Sequence, residues 1–274
     1  ESDFFVINAR NIEKIDKRFL DGIGTCIVDE MHLMATKTLV KCVQHVTPRY
    51  LLGLSATPYR EDGMDKVLDL YFGKEKIHRK MFHKHFVNIL FTGITIKNEY
   101  THTGGVNWGA VLAKQSENQE RNAMIAKIVS EYPSRKILIF CKRLSQTTDI
   151  HDILKETYSI DSTLITGTKK KYDYTKTNVF IGIIKKIGVG FSLEKLDMLI
   201  MGVDSLNYFQ QYLGRVFRRK DVVPIIYDIV DDNGILFKHY KERLSIYQSS
   251  GGEVYEHKYK DFSKPIPKHR LLQN

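Results

Sequence analysis

Hydrophobic and polar positions along the chain fall into two alternating periods. Short apolar runs at 25–30, 50–56, 136–141, 162–166, 178–183, 198–203 and 223–230 read as buried strands. Between and after them, positions with helical period occupy 35–45, 63–71, 115–131, 146–157, 207–219 and 235–248. In the helix at 115–131, Ile125, Ile128 and Val129 share the apolar face. Pro58 stops the second strand and Gly73 the helix that follows it. Residues 3–8 read as a further short strand, 11–20 as a helix or turn, and 86–97 as β-rich. The tail from Ser249, with Gly251-Gly252, Pro265 and Pro267, shows no clear period. Strands alternating with helices predict an α/β fold, its parallel sheets covered on both faces. A loop at 101–108, holding Gly104-Gly105, places the expected domain boundary: 1–108 and 109–274.

Composition narrows the class. The chain has 274 residues, 42% hydrophobic and 27% charged, which is globular rather than disordered. A net charge of +10 suits a polyanionic partner, although solubility alone would also account for it. Cys26, Cys42 and Cys141 form no C-x-x-C pair, which points to a reducing intracellular compartment without structural zinc. The apolar runs are too short to span a bilayer and no signal peptide is present. The first residue is not Met, so a fragment or processed product is expected.

Two stretches carry candidate chemistry. The first strand ends in Asp29-Glu30-Met31-His32, and parallel sheets bind ligands outside the carboxyl ends of their strands. Adjacent carboxylates there suit metal-assisted phosphoryl transfer, one holding hydrated Mg²⁺ and the other taking a proton from water. Taken singly, the pair is equally the solvated end of a strand. The second stretch is Gln211-Tyr212-Leu213-Gly214-Arg215-Val216-Phe217-Arg218. Gln211, Arg215 and Arg218 share a helix face, and forked guanidiniums suit phosphate oxygens. The alternative is a solvated basic helix. Gly214 costs that helix about 1 kcal/mol, so a close approach that a side chain would block is expected beside it.

Asp-Glu-x-His, then Ser55-Ala56-Thr57, then Gln-x-x-Gly-Arg-x-x-Arg in a second α/β unit resembles a superfamily two helicase in the order and spacing of motifs II, III and VI. The run from Leu52 to Gly63 is most similar to the branch holding XPB-type helicases, restriction-enzyme translocating subunits and helicases of large cytoplasmic DNA viruses. The resemblance implies two RecA-like domains, the latter part of the first and a complete second. It implies an ATP-dependent DNA helicase or translocase using Mg²⁺. Asp29 would hold the metal through water and Glu30 would polarise the attacking water. His32 would sense the γ-phosphate, with Gln211, and Ser55 and Thr57 would couple hydrolysis to movement. Arg215 and Arg218 would be arginine fingers. Lys142 and Arg143 match motif IV, Thr166-Gly167 the next backbone-contacting loop, and Gly190 the motif V stretch. Lys169 and Lys170 would add phosphate contacts.

The chain departs from the family pattern in two places. Ser192 stands where motif V has an acidic residue, and Lys185 or Lys186 where it has Thr. No G-x-x-x-x-G-K-[ST] occurs, and that loop lies upstream of the Asp-Glu strand in the family. From this the isolated chain is expected to have a frayed first unit, negligible ATPase activity and residual salt-sensitive DNA binding. A DNA-binding module without turnover and an RNA helicase are the competing readings. His78, His83 and His85 read as a basic solvated or DNA-facing stretch, and Trp108 as linker packing rather than a base-stacking residue.

Overall fold

The computed structural model describes residues 3–34, 36–55, 63–79, 81–166, 175–183, 196–206, 209–218 and 221–258, with the backbone alone at 37–39, 65, 210–212 and 215. The chain divides into two compact units, Glu1–Arg79 and Lys80–Asn274.

In the first unit, strand β1 (Thr25–Val28) pairs in parallel with β2 (Tyr50–Gly53), Val28 opposite Gly53. Among the described residues three α-helices accompany them: α1 (Lys17–Asp21), α2 (Lys37–Gln44) and α3 (Asp65–Phe72). One face of the strand pair is packed, with Cys26 against the cluster of Ile12, Leu20, Cys42 and Val46, and Val28 against Met34 and Leu68. Ile27, Tyr50 and Leu52, on the other face, are each more than half exposed. The strand expected at 3–8 makes no ladder among the described residues. That segment leads instead into a 3₁₀ turn, Ala9–Lys14, capped by the Asn8 side chain. Without a neighbouring strand its apolar residues do not specify β structure.

The second unit is built on a seven-stranded parallel sheet. Its strands are β3 (His85–Thr95), β4 (Ile137–Cys141), β5 (Ser162–Ile165), β6 (Val179–Ile183), β7 (Met198–Met201), β8 (Ile225–Asp232) and β9 (Gly252–Lys258). Their spatial order is β5-β6-β4-β7-β8-β3-β9. The helices are α4 (Trp108–Glu117), α5 (Gln119–Ser130), α6 (Leu144–Tyr158), α7 (Phe209–Val216) and α8 (Gly234–Ser249).

Alternation along β4 sorts the two faces. Leu138 and Phe140 join a core with Phe209, Leu213 and Val216 of α7 and Tyr240 and Tyr247 of α8. Ile137, Ile139 and Cys141 join the core made by α5 and α6. Every β4 residue is buried, as a strand covered on both faces must be.

Three expectations change. The division falls after Arg79 rather than near 108, because β3 sits between β8 and β9 in the second sheet. The single helix expected at 115–131 is two, broken at Asn118, whose carboxamide caps α5 by accepting from the Arg121 amide. The tail beyond Ser249 supplies a seventh strand, β9, along the β3 edge. Among the described residues, no helix is long and apolar enough to cross a membrane.

Two buried ionic groups fix the strand ends. Arg121, fully buried, donates to Asp231 at 2.9 Å and to the Gly202 carbonyl. Arg243 holds Asp228 with two donors, at 2.7 and 3.0 Å, and also donates to Asp204. Tyr247 donates to Asp228 at 3.1 Å, and His239 Nδ1 lies 2.7 Å from Asp204. Burial by itself would push the Asp204 carboxyl up. The His239 hydrogen bond and the Arg243 charge outweigh it and hold the carboxyl below the usual carboxylate range.

Removing one partner from such a group strands a buried charge. Arg243→Met is expected to cost about 3–5 kcal/mol, because Asp228 and Asp204 are left without their cation. Urea denaturation checks this, and a loss below about 1 kcal/mol would mean the carboxylates are rescued by water.

Acid should loosen the same unit at a milder pH. Burial lowers the His85 pKa, with the His83 carbonyl opposing and the His83 ring adding to the fall; Tyr247 and Phe217 supply the neighbouring rings. Burial lowers the His257 pKa as well. A histidine whose folded pKa lies below its unfolded value, about 6.5, binds fewer protons folded than unfolded. Its contribution is full above that value and lost as pH falls below it. Melting temperature should therefore drop between about pH 7.5 and 5.5, and His85→Gln should flatten part of that slope. An unchanged slope would clear His85.

Candidate functional site

The first unit places its candidate residues at one strand end. After Val28 the chain turns sharply. Glu30 takes a left-handed conformation, φ 52°, unusual for a residue with a side chain. Around it, the Glu30 amide donates to Asp29 Oδ1 at 2.9 Å, and the Leu33 amide to the Glu30 carbonyl at 2.9 Å. The Met31 amide reaches across to the Leu54 carbonyl, also at 2.9 Å. The 3₁₀ turn Met31–Met34 that follows is thereby held over the end of β2. Gly53 permits this approach, since a Cβ there would lie 2.2 Å from the Met31 sulfur and 3.0 Å from the Phe72 ring.

Asp29 is exposed at this end and Glu30 is half-buried. His32 is 5% exposed, and its Nδ1 lies 2.9 Å from Ser55 Oγ and 3.4 Å from Glu30 Oε2. The structure thus joins Asp-Glu-x-His to the start of Ser-Ala-Thr through side chains, a link across 23 positions that spacing does not show. Thr57 lies outside the described residues.

In the second unit Lys142, Arg143 and Thr166 lie at the carboxyl edge of the sheet, whereas Arg218 follows Phe217, which packs beside the start of β3. Lys142 and Arg143 are exposed where β4 passes into α6, and Arg143 occupies the N-cap position without a capping side chain. Thr166 follows β5, two strands away from β4. Gln211 and Arg215 are on α7, one helical turn apart, and Arg218 is exposed in the turn that follows. Gly167, Lys169, Lys170 and Gly190 lie outside the described residues, as do Lys185, Lys186 and Ser192.

The expected close approach at Gly214 is not found among the described residues. A Cβ there would meet only the Met81 sulfur, at 3.5 Å, an ordinary contact. Trp108 opens α4 and packs edge-on against His239, ring centroids 4.9 Å apart. His83 and His85 are not a solvated stretch: both rings pack on Phe217.

An exposed carboxylate beside a second carboxylate is a hard oxygen donor set that suits Mg²⁺, which keeps most of its waters. Among the described residues no group of three His, Cys, Asp or Glu side chains could hold a metal ion by itself.

No family model matches the chain. Its similarity to individual proteins is extensive. Protein 161L of Invertebrate iridescent virus 6, provisionally named a helicase, is 39% identical over 93% of this chain and 62% of its own length. Protein 055L of Frog virus 3, named in the same way, is 34% identical over 87% of this chain and 55% of its own length. The chain therefore spans between half and two thirds of each of these relatives. Among solved structures, a fragment of an HsdR-type subunit of a type I restriction enzyme from Vibrio vulnificus has the same fold. It aligns with a TM-score of 0.64 and 16% identity over 89% of this chain and 50% of that one. The chain is similar over most of its length to helicase-named proteins of large DNA viruses, and its parallel sheet flanked by helices has the RecA-like α/β fold.

Proposed function

We propose that this chain is the C-terminal part of an ATP-dependent DNA helicase or translocase. The observation that carries the reading is the His32–Ser55 contact beside Asp29 and Glu30. It ties the carboxylates that would act on the nucleotide to the segment that would pass the result onward. Asp29 would hold Mg²⁺, which would supply charge neutralisation at the phosphates. Glu30 orients and deprotonates the attacking water from its constrained turn. Arg215 and Arg218 neutralise charge developing on the transferred phosphoryl group. His32, Ser55, Thr57, Gln211 and Gly190 couple nucleotide state to movement.

Nucleic acid is held by Lys142, Arg143 and Thr166, at the carboxyl edge of the second sheet, and by Gly167, Lys169 and Lys170, which follow Thr166 in sequence. Lys142 and Arg143 end β4, where successive crossovers leave in opposite directions, toward β5 and β6 and toward β7 and β8. That is where open parallel sheets bind ligands. Their charges face phosphates and read no bases.

Glu30→Gln in the complete protein should lower DNA-stimulated ATP hydrolysis by about 10²- to 10⁴-fold while nucleotide binding stays within a few-fold. Phosphate release and nucleotide titration measure the two separately. Hydrolysis at the wild-type rate would remove Glu30 from the chemistry.

DNA binding should weaken linearly when log affinity is plotted against log salt, with a slope of about −0.7 to −0.9 per phosphate contacted. Lys142→Ala with Arg143→Ala should reduce that slope by about two contacts' worth, equally for unrelated sequences. Fluorescence anisotropy on matched DNA and RNA strands makes the measurement. Tighter binding to the RNA strand would replace DNA with RNA as the substrate.

A further inference from the structure

Phe217 stands between the two arginines of the α7 stretch, and its surroundings are unusual for a residue at the end of a solvated helix. It is 8% exposed, while the next residue, Arg218, is exposed. Its ring stacks nearly parallel on His83, with centroids 5.2 Å apart and an interplanar angle of 12°. It also packs on His85 at 4.6 Å, tilted by 42°. Met81 packs against the same core and faces Gly214 of α7. So the segment 81–85, which leads into β3, forms a bed of side chains under the end of α7.

That bed is fixed from its far side. The His83 amide donates to the Ser250 carbonyl at 2.8 Å, and the His85 amide to Gly251 at 3.3 Å. His85 Nδ1 lies 2.7 Å from the His83 carbonyl, and a carbonyl only accepts, so Nδ1 carries the hydrogen. Among the described residues the buried Nε2 has no hydrogen-bond partner, and it faces Gly252, where a Cβ would come within 2.7 Å of it. The His85 ring is therefore locked in one orientation by a hydrogen bond on one side and backbone on the other. The α7 turn rests on a rigid surface rather than on mobile side chains.

We infer that Phe217 is a positioning residue: seated on the His83 and His85 rings, it fixes the turn that presents Arg218, and so ties the chain segment entering the second unit to the arginine that neutralises phosphoryl charge. This rests on the proposed role of Arg218. The packing acts through ring surface, not through histidine proton chemistry. Stacked rings resist sliding and tilting, and misplacement of a charged group by about 1 Å can cost about 10²-fold in rate.

The test uses ATP hydrolysis by the complete protein, with kcat and KM determined separately and nucleic-acid affinity measured alongside. His83→Ala and Phe217→Ala should each lower kcat by about 10- to 100-fold with KM for ATP and DNA affinity within about twofold of wild type. His83→Phe keeps the stack and should restore kcat to within a few-fold. In an Arg218→Ala background, Phe217→Ala should add no further loss, because it acts through that arginine. If Phe217→Ala unfolds, His83→Ala, on a half-exposed residue, carries the test. Wild-type kcat in His83→Ala, or His83→Phe as impaired as His83→Ala, overturns the positioning role while a steep loss in Arg218→Ala leaves the site reading standing. Wild-type hydrolysis in Arg218→Ala overturns the site reading and the positioning role together.

Discussion

Every strand pair among the described residues is parallel, and this constrains the whole molecule. Parallel strands all end on one edge, and each return must cross the sheet by a separate segment. The chain therefore delivers the ends of β4, β5 and β7 to a single line, although 24 to 60 residues separate them in sequence. Lys142, Arg143, Thr166 and the approach to α7 lie along that line without any contact between them being needed. In the first unit the same rule puts Asp29 and Ser55 at neighbouring strand ends. The chemistry is gathered by strand direction, and side chains refine what direction has already placed.

Much of this was legible because burial on both faces erases alternation. Runs such as Ile137–Cys141 and Met198–Met201 are apolar at every position, and such runs between helical segments leave little choice but a parallel sheet. What could not be read is non-local. β3 precedes the expected boundary in sequence yet pairs with β8 and β9, more than a hundred residues later. Local pattern identifies a strand but not its partner. β9 was missed for a different reason. As the terminal strand of the sheet it keeps Glu253 and Lys258 exposed, and its Gly251-Gly252 start looks like a loop. Those glycines are there because His83 and His85 crowd the backbone, a fact of packing rather than of propensity.

The site divides in the same way. Asp29, Glu30, Lys142 and Arg143 were legible as polar residues ending apolar strands, a pattern contained in a few consecutive positions. The His32–Ser55 contact was not, since it depends on the register Val28 to Gly53 and on Met31 reaching Leu54. The reading of His83 and His85 as a solvated basic stretch failed because their neighbours Arg79 and Lys84 do face solvent. Composition averages over a segment whose alternate side chains point to different environments. Phe217 had no signal beyond being aromatic between two arginines.

The buried ions show why α7 begins where it does. Gly202, directly after β7, has its carbonyl bound by Arg121 of α5 and Gln146 of α6. Two residues on, the Asp204 carboxylate is bound by Arg243 and His239 of α8, and its amide donates to Gln115 of α4 at 3.3 Å. Gln115 in turn donates to Asp231, so the two ionic groups are one network. A network of this kind adds little net stability over apolar residues of the same volume, because desolvating the ions offsets most of their attraction. Its effect lies in direction. An apolar contact tolerates sliding, whereas each of these bonds holds at one distance and angle. Four helices therefore fix residues 202–204, which follow β7, and the His83–Phe217 stack packs the other end of α7. An eight-residue helix held at both ends has no freedom to rotate its arginine-bearing face independently of the sheet.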